Sequence, residues 1–159
     1  MQASSARTRG FSAVEVTIVI AILGLLAAVA IPQVAARHRQ DQTATLVCRL
    51  GVLRTAINRY WAQHDDFPGP GAGDVRRQLV SPTCRSGGCG TGVAFALGPY
   101  VQEGDLPDNP VTGTNTLIII DAMPEAASGS SAWIYCRLTG ELRANTTGRT
   151  EDGVRYFDL

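Results

Sequence analysis

The chain has 159 residues, and its 14 basic residues, all of them arginines, balance 14 acidic ones, so its formal net charge is zero. A neutral chain with scattered arginines lacks the basic surface that nucleic-acid-binding proteins use, and no nucleic-acid partner is expected. The length leaves room for one modest domain beside any long apolar segment. Because the sequence carries no Ser–His–Asp, Cys–His or phosphate-loop motif, we do not predict an enzyme.

An apolar segment runs from Phe11 to Ala36, and its only strongly polar side chains are those of Ser12, Glu15, Thr17 and Gln33. As a helix it is long enough to cross a bilayer, which takes about 20 residues. A carboxylate in hydrocarbon costs at least about 2.5 kcal/mol, so Glu15 is predicted to be a functional residue that needs a partner. Gly24 and Pro32 weaken a helix, which predicts that the segment bends or unwinds locally.

The ten residues before this segment predict a leader peptide of an unusual kind. Residues 1–10 contain two arginines and no acidic residue. An ordinary secretory signal is cut after its apolar region, whereas here the small residue Gly10 precedes that region. We therefore expect cleavage between Gly10 and Phe11, which would leave the apolar segment in the mature chain.

The run RGFSAVEVTIVIAILGLLAAVAIP closely resembles the amino-terminal motif of type IV prepilins and of the pseudopilins of type II secretion. In that family a prepilin peptidase cuts after the glycine, here Gly10, and methylates the new amino terminus, here Phe11. A glutamate at the position of Glu15 and a proline at the position of Pro32 complete the pattern. The resemblance implies that Glu15 of one subunit pairs with the charged Phe11 amine of another during assembly.

The same resemblance implies where the parts of the chain lie in the cell. Residues 1–10 would face the cytoplasm, residues 11–36 would cross the bacterial inner membrane once, and residues 37–159 would be exported. The exported domain would then reach a periplasmic pseudopilus or a cell-surface pilus. The arginines on the two sides of the apolar segment are balanced, so charge alone does not decide this orientation.

The function implied by the resemblance is that of a structural subunit in a helical filament of identical chains, either a type II secretion pseudopilus or a type IV pilus. Its implied partners are the prepilin peptidase/N-methyltransferase, an inner-membrane assembly platform with its ATPase, and other pilin-like subunits. The alternative is a minor or tip subunit that acts as an adhesion or binding module. Both interpretations require the same amino terminus, so the sequence leaves them open.

A helical stem is predicted to continue to about His64. Between Gln33 and His64 there is no proline, and apolar residues recur at spacings of three and four, which places them on one face of a helix: Leu46, Leu50, Leu53, Ile57 and Tyr60. A helix from Phe11 to His64 would be about 80 Å long. Its first half would be transmembrane and protruding, and its second half would pack on a core.

Residues 65–114 are rich in glycine and proline and are predicted to be a loop region with one short helix, Val75 to Val80. Residues 115–159 carry strand signals, with a hairpin turn at Thr139-Gly140. The three expected strands are Thr116 to Asp121, Ala132 to Leu138 and Glu141 to Ala144, and Val154 to Asp158 is a candidate for a last strand. The predicted fold is therefore α+β and pilin-like, with a long helix on a small antiparallel sheet of three or four strands. The runs LPDNPVTG and WIYCRLTGELRAN also resemble the exported domains of pseudopilins.

Four cysteines follow the apolar segment, and in an exported domain an even number suggests two disulfides. Cys84 and Cys89 close a small loop and are the first candidate pair, which would leave Cys48 with Cys136. On a helical wheel, however, Cys48 points away from the apolar face of the stem. It is therefore also a candidate to pair with Cys84 or Cys89, and the connectivity stays open.

Metal binding finds little support in the sequence. The major pseudopilins bind calcium through an aspartate-rich loop near the carboxyl terminus, and this chain has only the adjacent Glu151 and Asp152 with Asp158 nearby. These three residues are the candidate calcium ligands. Because the aspartate-rich loop is missing, we expect no cofactor.

Overall fold

The computed structural model describes residues 12–69 and 74–159. It contains a long helix, a short helix, three strands and a short 3₁₀ helix: α1 (Ala13–His64), α2 (Val75–Val80), β1 (Leu117–Ile120), β2 (Trp133–Cys136), β3 (Leu142–Ala144) and Tyr156–Asp158. The chain divides into two compact units, Met1–His38 and Arg39–Leu159. The predicted leader and Phe11 lie outside the described residues.

The long helix is confirmed, and α1 contains 52 residues. At its start the hydroxyl of Thr17 donates to the carbonyl of Ala13 at 2.8 Å, which satisfies a polar side chain among apolar ones. A backbone hydrogen bond from Val16 to the Ser12 carbonyl at 3.2 Å closes the first turn.

Within the described part of the chain, no helix combines the length and the apolar character that crossing a membrane requires.

In the second unit, one face of α1 forms the centre of the hydrophobic core. The five residues of the predicted apolar face are all buried, with 0–2% of their surfaces exposed: Leu46, Leu50, Leu53, Ile57 and Tyr60. Opposite them pack Trp133 and Tyr135 from β2 and Leu142 and Ala144 from β3. Removing this apolar surface from water stabilises the unit by about 25 cal/mol per Å². The predicted α+β fold is thus confirmed.

The sheet has the order β1-β2-β3, with β2 in the centre. Strands β2 and β3 form an antiparallel hairpin in which Trp133 lies opposite Ala144. The turn contains Gly140 at φ +71°, and a Cβ atom there would lie 2.2 Å from the ring of Phe67. Glycine is therefore required both by the backbone conformation and by the close approach of Phe67. The predicted hairpin is confirmed.

One strand direction was predicted wrongly. Strand β1 pairs parallel to β2, with Leu117 opposite Trp133 and Ile120 opposite Cys136, so the sheet is mixed. A parallel pair needs a crossover connection of about a dozen residues. The segment 121–132 supplies twelve residues, which is enough for the chain to return to the same end of the sheet.

The candidate fourth strand, Val154 to Asp158, is not formed, so the sheet has the smaller of the two predicted numbers of strands. The structure has a 3₁₀ helix at Tyr156–Asp158, preceded by an isolated bridge between Arg149 and Arg155. Arg155 donates from Nε to one carboxylate oxygen of Asp158 at 2.6 Å and from a terminal nitrogen to the other at 2.9 Å. Because this pair joins residues three apart, it favours a helical turn over an extended strand.

The predicted short helix is confirmed as α2. Its N-cap is Asp74, whose carboxylate accepts a hydrogen bond from the backbone N–H of Arg76 at 2.9 Å. This bond satisfies one of the free N–H groups at the helix start. The side chain of Arg76 then reaches Asp105 at 2.6 Å, which ties α2 to the loop before β1.

Tyrosine ionisation gives a test of this packing. Burial, assisted by the neighbouring Tyr100, raises the pKa of Tyr60 from 10.0 to about 12. The unfolded chain would lose the Tyr60 proton at a lower pH than the folded chain does. Tyr60 therefore adds no pH dependence below pH 10, and the free energy of unfolding is expected to fall as the pH rises from 10 to 12.

The measurement is urea unfolding of the full chain in detergent across this pH range, with tyrosinate absorbance recorded in parallel. Tyr60→Phe should flatten part of the fall, whereas Trp61→Phe, which keeps every tyrosine, should not. An identical slope in Tyr60→Phe and the original chain would contradict the burial of the phenol.

Candidate functional site

The first part of α1 exposes apolar side chains on all of its sides. The described large apolar residues from Val14 to Leu26 are between 45% and 72% exposed. Successive helical residues are about 100° apart, so a nearly unbroken apolar run covers the whole circumference. A helix that is apolar all round is normally buried within protein or lipid. The apolar surface of this unit is therefore not buried by the unit itself.

Glu15 lies in the first turn of α1 and is exposed. It is the only ionisable side chain between Ser12 and Ala36. No ion pair formed among residues 12–69 and 74–159 includes it. A carboxylate in the first turn is favoured by the positive end of the helix dipole. Its expected partner Phe11, and the predicted cleavage residue Gly10, lie outside the described residues.

The other two predicted features of the apolar segment also lie in α1. Pro32 falls within the bounds of α1, and its predicted bend stays a prediction. A Cβ atom built on Gly24 would meet nothing within 4 Å. Glycine costs about 1 kcal/mol relative to alanine inside a helix, and no contact of the described residues requires it there.

The structure carries all four cysteines as free thiols. The backbone N–H of Cys84 bonds to the Gly88 carbonyl at 2.9 Å, and Thr83 pairs with Cys89. This register places Cys84 opposite Gly88, so the side chains of Cys84 and Cys89 leave the small hairpin on opposite faces. The Cys84–Cys89 disulfide stays a prediction, and this geometry does not favour it.

The remaining two cysteines lie in different surroundings. Cys136 is 1% exposed, and its thiol donates to the Asp121 carbonyl at 3.4 Å. Cys48 is exposed and lines a groove of about 370 Å³ between α1 and residues 100–107. Sequence patterns did not indicate this groove, because its second wall comes from a loop that is distant along the chain. The pairing of these two cysteines stays a prediction.

The candidate calcium ligands are not brought together. Hydrogen bonds from Arg155, together with the charges of Arg155 and Arg143, hold the pKa of Asp158 below its usual range. Glu151 faces Arg39 at 3.7 Å instead. Among the residues that the structure describes, no group of three or more His, Cys, Asp or Glu side chains is placed to hold a metal ion.

The LPDNP turn, residues 106–110, forms hydrogen bonds with the core. The indole nitrogen of Trp133 donates to the Pro107 carbonyl at 2.9 Å, and Asn109 is fully buried beside it. The amide nitrogen of Asn109 donates to the carbonyl of Ala132 at 3.0 Å and to the hydroxyl of Thr146 at 2.8 Å. The sequence marked this run as a turn but did not indicate that its asparagine would be buried.

His64 ends α1 with a cluster of contacts that the sequence did not predict. Its ring stacks on Tyr60 with 3.9 Å between centroids, and its Nδ1 donates to the Arg85 carbonyl at 3.1 Å. Its Nε2 lies 3.0 Å from the Thr83 hydroxyl and 3.1 Å from the Tyr100 hydroxyl. These bonds fasten the end of the helix to the loop region, which indicates a structural role for this histidine.

Comparisons with known proteins agree with the amino-terminal motif. The chain is 28% identical to a fimbrial protein of Neisseria meningitidis serogroup A over an alignment of 159 positions. This alignment covers 92% of this chain and 82% of the relative. It is 43% identical to the type IV major fimbrial protein FimA of Dichelobacter nodosus over 49 residues, 31% of each chain. It is 27% identical to the type IV major pilin protein PilE1 of Neisseria gonorrhoeae over 106 residues, 67% of this chain and 56% of the relative.

No protein-family profile and no solved structure matches the chain. The chain matches most of the length of the fimbrial protein of Neisseria meningitidis, but less than two thirds of the length of FimA and of PilE1. These relatives confirm the predicted resemblance to type IV pilins.

The surroundings of the cysteines predict their reactivity. In the reduced, folded chain, Cys48 should react faster with N-ethylmaleimide than Cys136 does, because Cys48 is exposed and Cys136 is buried. Mass spectrometry of peptides taken at successive times would measure the rates, with the urea-unfolded chain as the control in which the four rates converge. Equal rates for Cys48 and Cys136 in the folded chain would contradict these positions. The same measurement without reductant would reveal any disulfide as a protected pair.

Proposed function

We propose, from its relationship to the type IV pilins, that this chain is a structural subunit of a helical filament that its apolar segment holds together. One observation carries the proposal: the described large apolar side chains from Val14 to Leu26 are 45–72% exposed on every side of the helix. An apolar surface of this extent marks a site of membrane or protein contact. Lipid would cover it before assembly, and the same segment of other copies would cover it afterwards.

The proposal includes a maturation step in the inner membrane. The prepilin peptidase/N-methyltransferase would remove residues 1–10 and methylate Phe11. Residues 11–36 would hold the mature chain in the membrane as a single span, with residues 37–159 exported. An assembly platform and its ATPase would then move the subunit into the filament. The support is the register of glycine, aromatic residue, glutamate and proline in the amino-terminal motif.

Glu15 would set the register between neighbouring subunits. Phe11 precedes Glu15 by four residues, about 6 Å along a helix. A Glu15 carboxylate that meets the Phe11 amine of another copy would therefore fix an axial offset between the two helices. Removing one member of a buried ion pair typically costs about 3–5 kcal/mol, because the other charge is left unpaired. A mispaired register would carry the same penalty.

The names of the relatives favour one of the two structural roles. FimA and PilE1 are named as a major fimbrial protein and a major pilin protein. A main component of a pilus is therefore the better-supported proposal, compared with a minor or tip adhesion module. Abundance in sheared filaments would separate the two, since a tip module would be present only in traces.

The first test of the proposal is the mass of the mature protein. Protein purified from membranes of cells that contain a prepilin peptidase should have the mass of residues 11–159 plus one methyl group. Gly10→Asp should keep the full-length mass, because a charged side chain at the cleavage site would block the peptidase. An intact mass that begins at Met1 in the original chain would contradict the processing step.

The second test concerns Glu15. Glu15→Ala should insert into the membrane normally, because the change removes a charge from an apolar helix, but it should lose most filament assembly. Electron microscopy and mass spectrometry of sheared filaments would measure the yield. Glu125→Ala, which removes an exposed carboxylate of the second unit, is the matched control. A normal filament yield from Glu15→Ala would remove the assembly role of this residue.

A further inference from the structure

Two basic side chains stand at the end of the first unit. Arg37 and His38 follow directly on the apolar segment, and both are exposed. Neither of them enters an ion pair formed among residues 12–69 and 74–159. Arg37 carries a permanent charge, and the ring of His38 adds hydrogen-bonding nitrogens. This basic pair therefore presents groups that bind an anion, directly beside an apolar surface.

The orientation of the chain in the membrane does not explain this charge. Basic residues next to a membrane span favour the cytoplasmic side. In the proposed topology residues 37–159 are exported, so the charge of Arg37 opposes the orientation that the chain would take. A negatively charged partner at that boundary would offset the opposition.

The position of Arg37 along α1 indicates what lies at that boundary. Glu15 and Arg37 flank a run, residues 16–36, that has no ionisable side chain, and the whole run lies in α1. The two residues are 22 positions apart, which corresponds to about 33 Å at the helical rise of 1.5 Å per residue. The hydrocarbon core of a bilayer is about 30 Å thick. With Glu15 at one boundary of this core, Arg37 reaches the headgroups at the other.

An apolar side chain lies on the same face of the helix as the basic pair. Val34 precedes Arg37 by three residues and His38 by four, so the three side chains are neighbours on the surface of α1. Val34 is 67% exposed. One face of the first unit therefore carries an apolar contact on the side of the apolar segment and anion-binding groups one turn beyond it.

We propose that Arg37 and His38 bind the phosphate of an anionic phospholipid on the exported side of the membrane, with Val34 against its acyl chains. The inference rests on the proposed membrane-anchored state of the subunit. A guanidinium can donate to two phosphate oxygens at once, which makes arginine well suited to this headgroup. A phospholipid matches both halves of the face, whereas a free phosphate would match only the basic pair.

The contact would hold the unassembled subunit at a fixed depth in the membrane. With Arg37 at the phosphates of one leaflet, Glu15 would lie near the opposite boundary of the hydrocarbon core, where water can reach its carboxylate. At mid-core the same carboxylate would be costly. The lipid contact would thus keep Glu15 accessible until another subunit supplies its partner.

Lipid binding by the purified full chain tests the contact. The chain in a neutral detergent would be titrated with phosphatidylglycerol, and native mass spectrometry would count the lipid molecules bound to each chain. Arg37→Gln should weaken binding about fivefold, which is the effect of one basic residue near an anionic lipid surface. Arg59→Gln removes an exposed arginine of the same helix in the second unit and is the matched control, with binding unchanged.

Two further arms identify the ligand. Val34→Ser should also weaken the binding of phosphatidylglycerol, because it removes the apolar contact and keeps the charge. An excess of inorganic phosphate should not displace the lipid, since phosphate lacks acyl chains. Displacement by inorganic phosphate would overturn the lipid assignment. Equal losses in Arg37→Gln and Arg59→Gln would overturn it too, because the effect would then come from total charge.

The outcomes also separate this contact from the filament function itself. A chain that resists alkaline extraction from membranes and forms filaments, but binds phosphatidylglycerol as tightly after Arg37→Gln, would overturn the contact and leave the proposed function standing. Binding that depends on Arg37 in a chain that never forms filaments would support the contact and count against the function.

Discussion

One helix carries two different hydrophobic patterns, and the rest of the molecule follows from this constraint. From Leu46 to Tyr60 the apolar residues lie on one face and are buried within the same chain. From Val14 to Leu26 they lie on all sides and are exposed. Hydrophobic burial is the dominant favourable term in folding, so the first pattern organises a globular unit. The second pattern leaves an apolar surface that the described residues do not cover. Covering it requires lipid or other copies of the chain.

The segments that pack on the Leu46–Tyr60 face bring polar groups into the core. Each of the buried polar side chains described there has a hydrogen-bond partner. The two large aromatic residues of β2 place their polar atoms on loop carbonyls: Trp133 donates to Pro107, and Tyr135 donates to Pro68 at 3.0 Å. Among the described residues, no buried side-chain nitrogen or oxygen lacks a hydrogen bond. Because an unpaired buried polar group costs about 1–3 kcal/mol, these bonds fix where the loops run. Specific hydrogen bonds therefore join the irregular region to the sheet.

The sequence predicted the features that depend on local pattern and missed those that depend on distant partners. The apolar face of the stem, α2 and the β2–β3 hairpin follow from spacing, capping and turn residues that are close in the chain. The direction of β1 depends on where a twelve-residue connection crosses, and the final turn depends on a pair between Arg155 and Asp158. The groove beside Cys48 needs a wall that arrives from residues 100–107. Neither the periodicity nor the composition of the sequence shows which distant segments come into contact.

Strength and register place different demands on a filament subunit. The apolar segment can supply strength, because hydrophobic burial is large, but burial is nondirectional and tolerates sliding of one helix along another. Register needs interactions that work at one position only. In the proposed filament, a single carboxylate at Glu15, without another ionisable group between Ser12 and Ala36, would have this property, because a partner charge would have to lie at the same height along the helix.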